Sequence, residues 1–272
     1  MAQKTKMWRS RNLNAEFLSG RFADFAYDMH SHDTACLSLI TEGEIRIRMR
    51  GMEFTARKGD LYAIDADVAH AGWPVDGCGW SLKTVYVESS AMRVWALHDD
   101  KPLAEVGIAG PIIQDNRLRD AFLRLHSLAD EQGTRLAYDQ AAADFADYFL
   151  SRHIRESVNL QTDGLETIGV RRAKEFLSSN VTEKVSLADL ANFADLPPFR
   201  LYRAFQREAG MTPHEFQRQA RVRVATEMIR NGDSLADVAA AAGFVDQAHF
   251  TKTFVKHLAI TPGVYRDMPV VM

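Results

Sequence analysis

The chain has 272 residues, 46% hydrophobic and 25% charged, the composition of a folded protein of about two domains rather than a disordered one. Its 2 cysteines, Cys36 and Cys78, exclude a disulfide framework and a cysteine-ligated zinc site and point to a reducing, cytoplasmic setting. The net charge of −3 does not by itself suggest a nucleic-acid binder, and no apolar run reaches the roughly 18 residues a membrane helix needs.

Charge is unevenly placed. Residues 165–272 hold 14 Lys and Arg against 12 Asp and Glu, whereas residues 1–164 hold 19 against 24. At the start, Lys4, Lys6, Arg9 and Arg11 stand with no acidic neighbour before Glu16. Residues 1–20 therefore read as a basic arm, either a solvated tail or a segment that touches the second domain or DNA.

From Asp24 to Val87 the pattern has period two. Ile45, Ile47 and Met49 alternate with Arg46, Arg48 and Arg50, as in a half-buried strand. Gly51 turns the chain, Phe54 and Ala56 continue it, Lys58-Gly59-Asp60 turns it again, and Leu61 to Ile64 form a further strand. Several short strands at close spacing predict an antiparallel β-sandwich or barrel. His30 and His32, two apart on an extended segment, share one face, and His70 falls on a later strand. Three readings stand open for these histidines: a metal site, the polar rim of a small-molecule cavity, and structural packing. Trp73, Trp80 and Tyr86 are candidates to line that cavity. Residues 115–133 and 136–153 read as two helices separated near Gly133, with Leu118, Ala121, Phe122, Leu125 and then Ala141, Phe145, Phe149 at helical spacing. Thus residues 21–155 form one domain, and the polar stretch 156–167 a linker to a second at 168–268.

The second domain contains a repeat. Ser186-Leu187-Ala188-Asp189-Leu190-Ala191 recurs as Ser234-Leu235-Ala236-Asp237-Val238-Ala239, and Phe205 and Met211-Thr212-Pro213 recur as Phe254 and Ile260-Thr261-Pro262, one residue further out of step. In each copy Ser followed three residues later by Asp opens a short helix. A turn follows, at Asp195-Leu196-Pro197 or Gly243-Phe244, and then a second helix whose buried side is Leu201, Ala204 and Phe205, or Phe250, Phe254 and Val255. That leaves Phe199, Arg200, Tyr202 and Arg203 outside in copy one, and Gln247, Ala248, Thr251 and Lys252 in copy two. Arg, Lys and Gln can pair with purine edges in a DNA major groove, and the N-terminal part of a recognition helix is where such contacts fall. Between the copies, His214 to Arg230 reads as one helix of about 24 Å, a rod able to hold two recognition helices roughly one DNA turn apart.

Leu187-Ala188-x-Leu190-Ala191, Leu201-x-Arg203-x-Phe205, Gly210-Met211-Thr212-Pro213 and Arg221-x-x-x-Ala225 resemble the DNA-binding domain of the AraC/XylS family. So does the continuation Val238-Ala239-x-x-x-Gly243-Phe244-x-Asp246-Gln247-x-His249-Phe250, with Phe254 and Thr261-Pro262-Gly263-x-Tyr265-Arg266. The resemblance implies base contacts by the eight outer residues just named. Three departures fall at helix ends: Pro197 for a capping serine, Asp195 for a turn glycine, and Ala259 for a glycine before the last Thr-Pro. The N-terminal half resembles the cupin-like ligand domain of many such regulators, by His30-x-His32 and Gly59-x5-Asp65-x-Asp67-x2-His70. The glutamate of metal-binding cupins is absent, Cys36 and Leu37 occupying its place.

The sequence thus implies an α+β chain: an antiparallel, cupin-like β-barrel with two helices, followed by an all-α domain with two helix-turn-helix motifs. The expected function is a sequence-specific transcription regulator, not an enzyme, sensing a small-molecule effector at His30, His32, His70, Trp73 and Trp80. Its expected partners are double-stranded DNA and a second copy of itself, with RNA polymerase a further one, no membrane, and no cofactor. Two alternatives stay open: a metal-dependent cupin enzyme with a DNA-binding domain, for which His30, His32 and His70 are the ligand candidates, and a dimeric regulator that needs no ligand.

Overall fold

The computed structural model describes residues 4–11, 13–75, 79–88, 106–108, 110–130, 134–156 and 165–271. Cys78, Gly133 and most of the expected linker, residues 157–164, lie outside them.

Nine strands come first: β1 (Lys4–Ser10), β2 (Ala15–Phe22), β3 (Tyr27–His30), β4 (Thr34–Glu42), β5 (Glu44–Met49), β6 (Met52–Arg57), β7 (Leu61–Ile64), β8 (His70–Pro74) and β9 (Trp80–Glu88). Short strands β10 (Val106–Ile108), β11 (Ile112–Ile113) and β12 (Ile154–Glu156) flank helices α1 (Asn116–Asp130) and α2 (Arg135–His153). The strands form two main sheets, one ordered β3-β8-β5-β6 and one in which β11, β7, β4, β9, β2 and β1 run side by side. The larger sheet is covered on both faces, so β4 and β9 are buried almost throughout. Alternation sorts their side chains between two cores. Cys36, Ile40 and Leu82 point toward Ile45 and Ile47 of the smaller sheet. Leu37, Leu39 and Val85 point the other way, toward Phe122 of α1 and Phe145 of α2.

Residues 4–22 are not an arm. They form β1 and β2, paired from Lys4 with Arg21 to Ser10 with Ala15, and β2 continues the ladder to β9. Burial of Met7, Trp8, Phe17, Leu18 and Phe22 outweighs solvation of the interleaved charges. Those charges find partners at the rim, Lys6 with Asp130 and Arg9 with Glu16.

The helical domain comprises α3 (Leu165–Ser179), α4 (Leu187–Ala194), α5 (Pro198–Ala209), α6 (Pro213–Asn231), α7 (Leu235–Ala241), α8 (Gln247–Leu258) and α9 (Pro262–Arg266), followed by β13 (Val270–Val271). Helix α3 begins inside the expected linker. The sequence repeat is a structural one. Ser186 and Ser234 both cap through their hydroxyls, accepting from the backbone N–H of Asp189 and Asp237. Thr212 and Thr261 do the same for α6 and α9. Gly243 ends the α7 turn at φ +80°, and a Cβ there would lie 2.8 Å from Thr182 Cα. Its counterpart Asp195 takes the same left-handed region at φ 55°, and Ala259 at φ 59° matches Gly210 at φ 70°. The departures from glycine therefore leave the turn geometry intact and carry its strain.

The two domains are joined by more than the chain. Strand β13 pairs in parallel with β1, Arg9 opposite Val270. Beside it the Glu16 carboxylate accepts from Arg9 at 2.7 Å, Arg230 at 2.8 Å and the Tyr265 hydroxyl at 3.1 Å. On α6, the Gln219 amide brackets Ser31: its oxygen accepts from the Ser31 N–H at 2.6 Å and its nitrogen donates to the Ser31 hydroxyl at 2.9 Å. Arg223 donates to Asp67 at 2.6 Å.

Two stability changes follow. Glu16→Ala leaves two half-buried guanidiniums without their shared partner and costs about 1–2 kcal/mol, below the fully buried value because both arginines keep some solvent. Urea titration should then show the helical domain melting ahead of the sheet domain; a single unchanged transition would contradict this. Asp195→Gly relieves left-handed strain at an exposed site and, after the greater freedom of glycine in the unfolded chain, adds up to about 1 kcal/mol, read as a raised melting temperature.

Candidate functional site

Helices α5 and α8 occupy equivalent places in the two copies. Leu201, Ala204 and Phe205 bury one side of α5, and Phe250, Thr253, Phe254 and His257 one side of α8. What remains outward are the expected base readers. Phe199 is 78% exposed, Arg200 and Arg203 are exposed and Tyr202 half-buried. Gln247, Ala248 and Lys252 are exposed and Thr251 half-buried. The starts of the two helices differ. Asp246 caps α8 by accepting the His249 N–H at 2.6 Å, whereas Pro197 offers α5 no side-chain cap and the helix relies on the fixed backbone of Pro198.

Copy one has a further feature that sequence did not suggest. Glu166 of α3 accepts from Arg200 at 2.6 Å and from Arg207 at 2.8 Å. The two guanidiniums hold its carboxyl below the usual carboxylate range. In the free protein Arg200 is therefore engaged with an internal anion and must exchange it for any DNA contact.

The second feature is a cavity between the sheets and its mouth toward the helical domain. A small space between the sheets is lined by Tyr27, His30, His32, Cys36, Tyr62 and Tyr86 among others. A cleft between the domains shares His30, His32 and Tyr86 with it and adds Gln219, Arg223 and His257. His30 ends β3, His32 lies two residues on, and His70 opens β8 opposite His30 in the ladder. The rings of His30 and His70 are 4.2 Å apart, and those of His32 and His70 4.9 Å. Burial, reinforced by the neighbouring imidazoles, pushes His32 and His70 down to about 3 and His30 well below its ordinary value. Burial likewise pushes the Tyr27 and Tyr86 hydroxyls well up. At neutral pH the wall is thus uncharged but rich in hydrogen-bonding atoms, with Arg223 at the interdomain end.

Of the residues expected at the cavity, the three histidines and Tyr86 come together and two tryptophans do not. Trp73 sits one residue out of phase with His70 and Gly72 on β8 and lies under the Arg48 guanidinium, 5.3 Å from its ring centroid. Trp80 is buried against Phe22, 4.4 Å between centroids, in the core beside the cavity rather than on its wall. Sequence reasoning missed Gln219, Arg223 and His257. All three sit on helices whose polar residues read as solvent-facing until a second domain is set against them; the signal available was that Gln219 and His257 fall in phase with buried positions.

A pair of outward-facing helices on a repeated frame, with a separate domain enclosing a cavity, defines a ligand-responsive DNA-binding regulator. Residues 12–146 match the AraC-like ligand binding domain family and residues 190–268 the helix-turn-helix domain family. The chain is 24% identical over 227 residues to the HTH-type transcriptional regulator YbfI of Bacillus subtilis, covering 81% of this chain and 80% of that one. It is 24% identical over 260 residues to the MmsAB operon regulatory protein of Pseudomonas aeruginosa, covering 91% and 80%. In fold it is similar to ToxT from Vibrio cholerae O395, with a TM-score of 0.56 at 9% identity over 98% of this chain and 97% of that one. ToxT bound to an unsaturated fatty acid gives 0.55 at 12% identity over 98% and 95%. The chain belongs to the AraC family of transcriptional regulators: it binds DNA through its C-terminal helix-turn-helix domain and carries an N-terminal ligand-binding domain.

The Glu166 contacts give a test of the reading face. Glu166→Gln frees Arg200 and leaves Arg207 with Glu208 alone at 3.3 Å, so DNA affinity rises and the slope of log affinity against log salt steepens by about 1, close to one per added phosphate contact. Fluorescence anisotropy across a salt series measures both; a lower affinity at every salt concentration would show that Glu166 instead positions the arginines for DNA.

Proposed function

We propose that this regulator reads two successive major grooves through α5 and α8 and that its effector is a small organic molecule received at the cavity bounded by His30, His32, His70 and Tyr86. The observation that carries the DNA assignment is the outward placement of Phe199, Arg200, Tyr202 and Arg203 in one copy and Gln247, Ala248, Thr251 and Lys252 in the other, on helices that follow matching Ser-capped helices and left-handed turns. Helix α6, 19 residues and about 28 Å long, sets the spacing between them. Copy two reads the element shared across the family, through Gln247 and Lys252. Copy one, with its bulky Phe199 and Tyr202 and its restrained Arg200, sets what is individual in the preferred sequence.

For the effector, the supporting observation is position. The cavity opens at the same seam where Ser31, Asp67 and Glu16 meet α6, so an occupant of the cleft changes the free energy of domain contact. The fatty acid named with ToxT shows that this fold accommodates an elongated apolar acid in that protein; here the same fold supplies a cavity with Arg223 and Arg230 at its cleft end. We read the working partition as a ligand-binding domain up to residue 155, a linker at 156–167, and a reading domain at 168–268 with β13 returning to the first. We further read the chain as a cytoplasmic homodimer pairing through α1 and α2, where Leu136 is exposed, and as a non-enzymatic partner of RNA polymerase.

Arg203→Ala and Lys252→Ala should each weaken binding to a duplex selected from a random library by about 10–100-fold, the 1–3 kcal/mol of one good base contact, and relax preference at one position. Binding unchanged in both variants, with the fold intact by circular dichroism, would remove the reading assignment.

A further inference from the structure

Three imidazoles of the sheet domain cluster where β3 and β8 meet α8, and a fourth, from α8, lies beside one of them. His30, His32 and His70 belong to the sheet domain; His257 belongs to the helix that carries Gln247 and Lys252. The His257 ring lies 5.7 Å from that of His30. Each of the four gives its Nδ1 to a main-chain carbonyl: Asp28 at 2.7 Å, Thr34 at 2.6 Å, Val68 at 2.8 Å and Thr253 at 2.8 Å. A carbonyl only accepts, so each Nδ1 carries the ring proton and each Nε2 is a bare lone pair.

The consequences differ from those of a packed core. In His30, His32 and His70 one ligand nitrogen per ring lies within 4.8 Å of the other two, a separation that small rotations close to that of a common metal centre. His257 is 4% exposed, and its Nε2 is buried with no hydrogen-bond partner among the described residues. Proton-free nitrogens turned toward one another repel unless a cation or a donor stands among them. Imidazole-only ligation favours zinc, cobalt, nickel or copper over magnesium or calcium, which take oxygen. A carbonyl behind each Nδ1 is the outer-shell bond that orients a metal-ligating histidine.

We propose that His30, His32 and His70 bind one divalent transition-metal ion through Nε2, and that His257 closes its fourth position, tying the DNA-reading helix to the sheet domain. The inference rests on the reading of this cavity as the sensing site and names part of what it senses. Metal occupancy then favours the docked arrangement of α8, and loss of the ion releases it.

The test uses the full-length chain, stripped with a chelator and titrated with cobalt(II), followed by displacement with zinc(II). One equivalent should bind with the intense visible bands of four-coordinate cobalt. His32→Ala and His70→Ala should each lose at least about 100-fold in affinity. His257→Gln should retain one equivalent, bind about 10–100-fold more weakly and shift the bands, in the range by which losing one supporting group weakens a metal site. His249→Gln, exposed on the same helix, should change nothing. If His70→Ala loses its cooperative melt, His32→Ala decides, since its ring is only partly buried. Cobalt binding that is absent, or unaltered in the His32 and His70 variants, overturns the site. A His257→Gln protein indistinguishable from the parent overturns the link between domains. Neither result touches the DNA-reading assignment, which the Arg203 and Lys252 variants test without metal.

Discussion

Helix α6 has no free side, and much of the molecule is arranged to satisfy it. Gln217 donates to the carbonyls of Asn180 and Glu183, at 3.2 and 3.0 Å, and so holds the segment between the α3 and α4 helices. Arg221 reaches the Val181 carbonyl at 2.6 Å. Val222, Ala225 and Ile229 pass into the core of the second copy, with Val238, Phe250 and Phe254. Gln219 and Arg223 face the sheet domain. One helix thus serves two half-domains and a third body, and needs buried amides at positions where a bundle helix would carry leucine. Such amides are tolerated because each finds its partners, which is the condition for burying polar groups at all.

This constraint explains what was legible in the sequence. The repeat, the Ser caps, the inner face of α5 and the alternation of β5 are local patterns, fixed by spacing of a few residues, and each appears in the fold where spacing put it; on α8 Phe250 and Phe254 turn inward, but Thr253 and His257 rather than the half-buried Val255 complete that side. The inserted residue between the two copies also falls in a turn, at exposed Val245. Less legible were features set by long-range contact. The positive charges of residues 4–11 masked a strand that sends Met7 into one core and Trp8 into the other, because an arm and an edge strand differ only in what lies beside them. Trp73 and Trp80 were assigned by residue type, whereas the phase of β8 and the core around Phe22 decided their direction. Gln219 and His257 escaped notice because the surface they meet is 188 or more residues away in the chain.

The two copies of the reading motif are built on the same frame yet not held alike. In copy two the turn has glycine and the helix has a side-chain cap, and the left-handed strain falls instead at Ala259, where the helix ends. In copy one Asp195 holds a left-handed backbone, α5 starts without a side-chain cap, and Arg200 and Arg207 are bound to Glu166. Copy one must rearrange more on meeting a phosphate backbone, and copy two less. Such a division suits a two-step encounter in which one half anchors and the other discriminates.

The parallel pairing of β13 with β1 has a consequence for motion. Because residues 270 and 271 are stitched to the ladder beside Arg9 and Ser10, the helical domain is moored at both ends of its own span, by the chain near residue 165 and by this short ladder. With the contacts of Glu16, Gln219 and Arg223, this second main-chain mooring limits how far the helical domain can turn against the sheets. Release of a two-residue ladder is cheap in hydrogen bonds, yet it removes a main-chain link between the two domains and leaves the side-chain contacts of Glu16, Gln219 and Arg223 to hold them. The range of orientations open to the reading helices therefore depends in part on the last few residues described, which sit beside the Glu16 end of the cleft.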